Sequence, residues 1–256
     1  MKLTASDLRA MKQRGEKIAA LTSYDFFTTK LLNEAGIPLI LVGDSLGMVV
    51  LGYETTLPVT MEDMLHHVKA VARAKPVGMI VGDMPYRTYE TPEQAVANAR
   101  RFVEAGADGV KLEGGVTEQI QAVVAAGIPV LGHIGLLPQS AAKYQVQGRT
   151  PESVAQLVRD AQAVEAAGAF AVVVECVVAT AAGPIANAVN IPIIGIGAGP
   201  NCDGQILVVH DLLGLVSRQP KHSRRYADGA GEMRRAFAAY QLDVQGGRFP
   251  SAGESF

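Results

Sequence analysis

The stretch "EAGADGVKLEGG" (104–115) decides how the rest of the chain is read. Its first three residues look like a helix end, with Gly106 at the left-handed position just past the last turn. An apolar segment, 109–112, follows almost at once and ends among charges, Lys111 and Glu113. Residues two apart in a strand share a face. Leu112 therefore turns outward toward covering helices, and Lys111 and Glu113 turn inward together. Burying both requires partners or a ligand to offset their lost hydration. An internal ion pair that ties the fold together is one reading; a functional site at a strand end is the other.

The same phrasing recurs. "NEAGIP" (33–38), "AAGIP" (125–129) and "EAAGAF" (165–170) each place glycine after a helical pattern, with a strand close behind. Short apolar runs stand at 18–21, 39–42, 77–81, 109–112, 130–132, 171–174, 193–196 and 206–209. They are mostly continuous rather than alternating, as parallel strands buried on both faces should be. Helices fill the intervals. Thr60 is the expected N-cap of one whose apolar stripe is Met61, Met64, Leu65, Val68, Val71 and Ala72. Thr91-Pro92, with Gln94 placed for a capping box, and Thr150-Pro151 open two more. Eight βα units in this length predict an α/β fold, a (β/α)8 barrel; a doubly wound open sheet is the alternative. The expected organisation is a single barrel domain over 1–256, with an N-terminal helix at about 4–15 and a C-terminal helical segment at about 228–247.

Composition suits one large globular domain, or at most two small ones: 256 residues, 48% hydrophobic and 19% charged. A formal net charge of −2 offers no basic field to nucleic acid and no polybasic face to a membrane. The N-terminus has charges throughout and no apolar signal core. Cys176 and Cys202 form no CxxC pair and read as reduced thiols. A cytoplasmic location is expected.

Long connections follow the C-terminal ends of strands at 43–60, 83–91, 133–150 and 197–205, the end where a barrel keeps its active site. Polar residues finish those strands: Asp44 and Ser45, Asp83, Lys111 and Glu113, His133, and Glu175. "LILVGDSLG" (39–47) and "GMIVGDMPY" (78–86) both stop at Gly-Asp. Either aspartate alone reads as a turn residue. As a pair with Glu113 they read as hard oxygen ligands for Mg²⁺ or Mn²⁺. Glu175, closing "FAVVVEC", is a candidate general base, with an ion pair or a metal ligand as the alternatives. His133 is either a substrate contact or a neutral histidine anchored to backbone. "GIGAG" (195–199) is a weak nucleotide signal, because Pro200 breaks the glycine count and the segment follows a late strand. Its small residues let a ligand or another backbone approach closely. His66 and His67 read as ordinary helix residues, and "PKHSRRYADG" (220–229) as a solvated face.

Several longer segments carry a family resemblance: "TSYD" (22–25), "VGDSLGMVVLGYETTLPVT" (42–60), "GDMPY" (82–86), "VKLEGG" (110–115), "GHIGLLPQS" (132–140), "VVECV" (173–177) and "IPIIGIGAGPNCDGQILVVHDLLGL" (191–215). Together they resemble the ketopantoate hydroxymethyltransferases along nearly the whole chain. The resemblance implies a (β/α)8 TIM barrel of the phosphoenolpyruvate mutase/isocitrate lyase type. It implies transfer of a hydroxymethyl group from 5,10-methylenetetrahydrofolate to 3-methyl-2-oxobutanoate, giving 2-dehydropantoate on the route to pantothenate and coenzyme A. It also implies Mg²⁺ and a homo-oligomer, a decamer. By the same resemblance Asp44, Asp83 and Glu113 attend to metal. Asp44, Ser45, Asp83, Lys111 and His133 bind substrate, and Glu175 is the catalytic proton acceptor.

Two departures from the family pattern stand out. No proline follows "ECV" (175–177), which implies different rigidity in the loop after Glu175. The loop "PQSAAKYQVQGR" (138–149) lacks a glycine pair before its tyrosine and is short. The competing classes are another Mg²⁺-enolate enzyme of the same barrel type, which would be expected to carry a reactive cysteine in a mouth loop, and a non-catalytic binding barrel.

Overall fold

A computed structural model describes residues 1–140 and 144–256. The chain forms two compact units, Met1–Val208 and Val209–Phe256.

In the first unit the eight expected strands close into a parallel barrel in sequence order: β1 (Ile18–Thr22), β2 (Leu39–Val42), β3 (Met79–Asp83), β4 (Gly109–Lys111), β5 (Val130–Gly135), β6 (Ala171–Glu175), β7 (Ile193–Ile196) and β8 (Gly204–Leu207). Closure through the parallel β1–β8 pair rules out the open sheet. The helices of this unit are α1 (Ala5–Gln13), α2 (Phe26–Glu34), α3 (Leu46–Val49), α4 (Met61–Arg73), α5 (Pro92–Glu104), α6 (Thr117–Ala125), α7 (Pro151–Ala166) and α8 (Ala179–Asn187). The second unit holds α9 (Val209–Leu212), α10 (Gly229–Gln245) and a 3₁₀ turn (Ala252–Glu254).

Local signals account for these boundaries. Thr60 and Thr150 cap α4 and α7 with reciprocal side-chain bonds to Asp63 and Ser153. Thr91 caps α5, but the Gln94 side chain accepts from the Glu90 N–H instead of closing a box with Thr91. Gly36, Gly106, Gly127 and Gly168 all take positive φ just past their helices, as the sequence phrasing requires.

Three strands differ from their apolar runs by two residues or more. β3 begins two residues later than the run at 77–81, since Val77 is exposed and pairing starts at Met79. β5 continues to Gly135, which pairs with Glu175. β8 spans 204–207 rather than 206–209. Its first residue is a glycine, invisible to an apolar count, and α9 has begun by Val209. Gly204 sits where β1, β7 and β8 meet. A Cβ there would strike the Ile18 carbonyl and lie 2.8 Å from the Ile18 Cβ and the Ile194 Cδ1. Gly204→Ala is accordingly expected to lower unfolding stability by about 1–3 kcal/mol, read from the urea midpoint, because backbone rather than a flexible side chain has to move.

Alternate residues of the strands fill the barrel: Ile18 and Ala20, Leu39 and Leu41, Met79 and Val81, Leu131, Ala171 and Val173, Ile194, and Ile206. Leu8 of α1 and Phe170 join this core. The basic residues of α1 fasten to the turns that precede strands. Arg9 Nη2 donates to Ala169 O (2.8 Å), and Lys12 Nζ donates to the carbonyls of Ala186, Val189 and Ile191 (3.0 Å each). The N-terminal end of the barrel is thereby plugged, which leaves the C-terminal end for chemistry.

Candidate active site

The period of two along each strand now places the polar residues. Asp83 follows Met79 and Val81 inward, His133 follows Leu131, and Glu175 follows Ala171 and Val173. Asp83 and Lys111 are direct neighbours across β3 and β4. Asp44, Asp83, Lys111, Glu113 and His133 are all buried, and the Glu175 side chain keeps 18% of its exposure.

These residues form two linked groups. In the first, Lys111 Nζ donates to both carboxylate oxygens of Asp83, at 2.8 and 3.0 Å. The Asp44 N–H points at Asp83 Oδ2 (3.4 Å). Lys111 is thus paired with Asp83 rather than with Glu113. Burial and the adjacent Asp83 charge push the Asp44 carboxyl up to about 7. Burial opposes the Lys111 charge, but Asp83, Asp44 and Glu113 outweigh it and hold the ammonium protonated well above its usual range.

In the second group His133 stands between two carboxylates. Its Nδ1 lies 3.4 Å from Glu113 Oε2 and its Nε2 lies 3.3 Å from Glu175 Oε2. Neither contact has the alignment of a good hydrogen bond. Burial and Lys111 disfavour the imidazolium, yet the two carboxylates prevail and raise the His133 pKa above its ordinary value. Ser45, beside Asp44, is half-buried, and its hydroxyl lies 2.9 Å from the Tyr24 hydroxyl.

Gln139, in the loop after β5, joins the two groups. Its N–H donates to Glu113 Oε1 (2.8 Å), and its side-chain amide donates to Asp44 Oδ2 (2.9 Å) and Met84 O (3.0 Å). The Tyr89 hydroxyl donates to Gln139 Oε1 at 2.5 Å. Sequence reasoning passed over Gln139 because an uncharged amide in a loop carries no periodic or charge signal. It also missed the support beneath Ser45: His67 Nδ1 lies 2.7 Å from Tyr24 O.

The remaining expectations resolve locally. Asp25, in the first mouth loop, is the N-cap of α2 and accepts from Thr28. Gly199 of the "GIGAG" segment has φ +82, and a Cβ there would lie 2.5 Å from the Ala179 Cβ. The close approach is therefore to α8. The loop after Glu175 is fixed by backbone bonds: Cys176 N–H donates to Ile196 O (2.8 Å), Gln147 N–H to Cys176 O (2.8 Å) and Val178 N–H to Gln147 O (3.0 Å). The shortening before Tyr144 falls on 141–143, outside the described residues. Both cysteines are free, and burial pushes each thiol up to about 11, so neither is an activated nucleophile. Lys221, Arg224 and Arg225 of the basic segment are exposed.

Among the described residues no three His, Cys, Asp or Glu side chains converge as a ready-made metal cage. The donor chemistry nevertheless fits a hard cation. Mg²⁺ commonly takes only one or two protein carboxylates and completes its shell with water and substrate. Asp44 and Asp83 supply two such groups, buried side by side at neighbouring strand ends.

The family model described as ketopantoate hydroxymethyltransferase matches residues 2–252. The chain belongs to this family. A relative from Dehalococcoides mccartyi, named 3-methyl-2-oxobutanoate hydroxymethyltransferase, is 53% identical over 100% of this chain and 94% of its own length. One of the same name from Moorella thermoacetica is 50% identical over 100% and 98%. Among solved structures, 2,3-dimethylmalate lyase, a member of the PEP mutase/isocitrate lyase superfamily, aligns with TM-score 0.65 at 16% identity, over 95% of this chain and 89% of its own. Ketopantoate hydroxymethyltransferase architecture here is thus the closed parallel barrel expected from the sequence, and the protein is a transferase. Among the described residues no helix is long and apolar enough to cross a membrane.

Proposed function

We propose that this enzyme transfers the one-carbon unit of 5,10-methylenetetrahydrofolate, as a hydroxymethyl group, to C3 of 3-methyl-2-oxobutanoate. The product, 2-dehydropantoate, feeds pantothenate and coenzyme A synthesis. The observation that carries the mechanistic reading is the division of the mouth into two groups, Asp44 and Asp83 about Lys111, and Glu113 and Glu175 about His133.

Glu175 takes the C3 proton, and an enolate of the oxo acid results. Its partial exposure leaves room for a substrate C–H to reach the carboxylate. His133 Nε2 faces that carboxylate, and Glu113 in turn faces Nδ1 of the same ring. Lys111 supplies a fixed positive charge where negative charge grows on the oxo acid. Ser45, positioned by Tyr24, donates its hydroxyl to the substrate. Asp44 and Asp83, with Glu113 nearby, would hold Mg²⁺, which when bound supplies Lewis-acid stabilisation of the enolate charge. C3 then forms a bond to the folate methylene carbon, both bonds from that carbon to the folate nitrogens break, water contributes the hydroxyl oxygen, and the C3 proton and one water proton end on the two nitrogens of tetrahydrofolate.

Free thiols and a biosynthetic role support a cytoplasmic setting. Exposed apolar side chains one turn apart, such as Phe27 and Leu31 on α2, support a homo-oligomer, proposed as a decamer.

The test is product analysis. Incubated with Mg²⁺, 3-methyl-2-oxobutanoate and 5,10-methylenetetrahydrofolate, the enzyme is expected to form 2-dehydropantoate and tetrahydrofolate one to one. No product from this mixture, with turnover of phosphoenolpyruvate or cleavage of a longer oxo acid instead, would assign the barrel to a different enolate chemistry.

A further inference from the structure

A cavity of about 290 Å³ opens beside the acid groups and shares Glu113 and Gln139 with them. The loop after β3 forms its other wall through Tyr86, Arg87 and Tyr89, and Gln119 of α6 contributes an amide. Small-molecule sites usually run from roughly 300 to 1,000 Å³. A cavity of this size accepts a bicyclic ring and leaves any long tail outside.

Its lining is built for a flat, polar ring. Tyr89 is largely buried and its hydroxyl is tied to Gln139, so that ring is fixed in place. Tyr86 is partly exposed, and the Arg87 guanidinium stands 5.1 Å from the centre of its ring. Arg87 itself adopts φ +62, a conformation that costs a non-glycine residue energy. That backbone is held by the Gln94 side chain, which donates to Arg87 O at 3.2 Å. Glu90 lies 4.0 Å away, with both side chains mostly exposed, so their pairing is weak and leaves the guanidinium able to grip a carboxylate at the rim.

We propose that this cavity binds the one-carbon donor: the reduced pterin ring lies against Tyr86 and Tyr89, and Arg87 pairs with the acidic tail. The assignment rests on the proposed reaction, which requires such a donor beside the enolate, and it places the folate on the Glu113 side of the mouth.

Tyr86→Ala and Arg87→Gln separate this site from the oxo-acid site, because both residues are exposed enough to spare the fold. In each variant the KM for 5,10-methylenetetrahydrofolate should rise about tenfold, and the dissociation constant of tetrahydrofolate by calorimetry should rise equally. The KM for the oxo acid and its folate-independent C3 exchange should hold at the full-chain wild-type values. A donor lacking the glutamate tail should bind Arg87→Gln and wild type alike. Unchanged folate binding in both variants overturns the assignment, as does C3 exchange falling in step with folate affinity. Tetrahydrofolate binding that weakens in the variants while the wild type exchanges no C3 hydrogen would keep the cavity assignment and remove the proposed reaction instead.

Discussion

Glu175→Gln should fold normally and lose about 10²- to 10⁴-fold in turnover, the usual contribution of a positioned proton acceptor. Glutamine keeps the size of the side chain, which sits at the end of β6 with part of its surface exposed, so little packing is lost. What disappears is the carboxylate facing His133 at 3.3 Å. The loss should appear in kcat, and equally in the rate at which C3 hydrogen of the oxo acid exchanges with deuterated water. KM for the oxo acid should change little, because Ser45, Lys111 and the aspartates remain. A fall in turnover with undiminished C3 exchange would assign Glu175 to a later step and leave the enolising base elsewhere.

Lys111→Met carries the second large effect, and it acts on stability as well as rate. The Lys111 and Asp83 side chains are only 6% and 3% exposed, and the ammonium contacts both oxygens of the carboxylate. Removing one partner leaves a buried charge next to Asp44, which typically costs about 3–5 kcal/mol. Urea unfolding should show that loss. Lys111→Met combined with Asp83→Asn removes both charges and should recover much of the stability while restoring none of the activity. Recovery of activity in the double variant would reduce Lys111 to a structural counter-ion, the internal-pair reading that the strand-end position alone leaves open.

The barrel was legible because the same signals recur in many of its βα units. Threonine caps at Thr60, Thr91 and Thr150, a glycine past several of the helices and short continuous apolar runs recur along the chain, and local chemistry set them correctly at Thr60, Thr150 and Gly106. Strand ends were harder to place. β8 starts at a glycine that is required by close packing against Ile18, and hydrophobicity counts do not register a missing side chain. The inward direction of Lys111 and Glu113 followed from strand period, but their partners did not. Which carboxylate reaches Lys111 depends on register between β3 and β4, a long-range property that pairs Asp83 with Lys111 and turns Glu113 toward His133. Gln139 lay beyond sequence reasoning for a related reason, since its four hydrogen bonds connect residues that are far apart in the chain.

In the proposed reaction the strand-end cluster enolises the oxo acid before the folate takes part. Mass spectrometry or proton NMR of 3-methyl-2-oxobutanoate incubated with the enzyme in deuterated water, without folate, tests it most directly. The C3 hydrogen should be replaced by deuterium, the exchange should need a divalent cation, and Asp83→Asn should weaken this cation dependence. Catalytic formation of 2-dehydropantoate when folate is present, with no C3 exchange when it is absent, would contradict it.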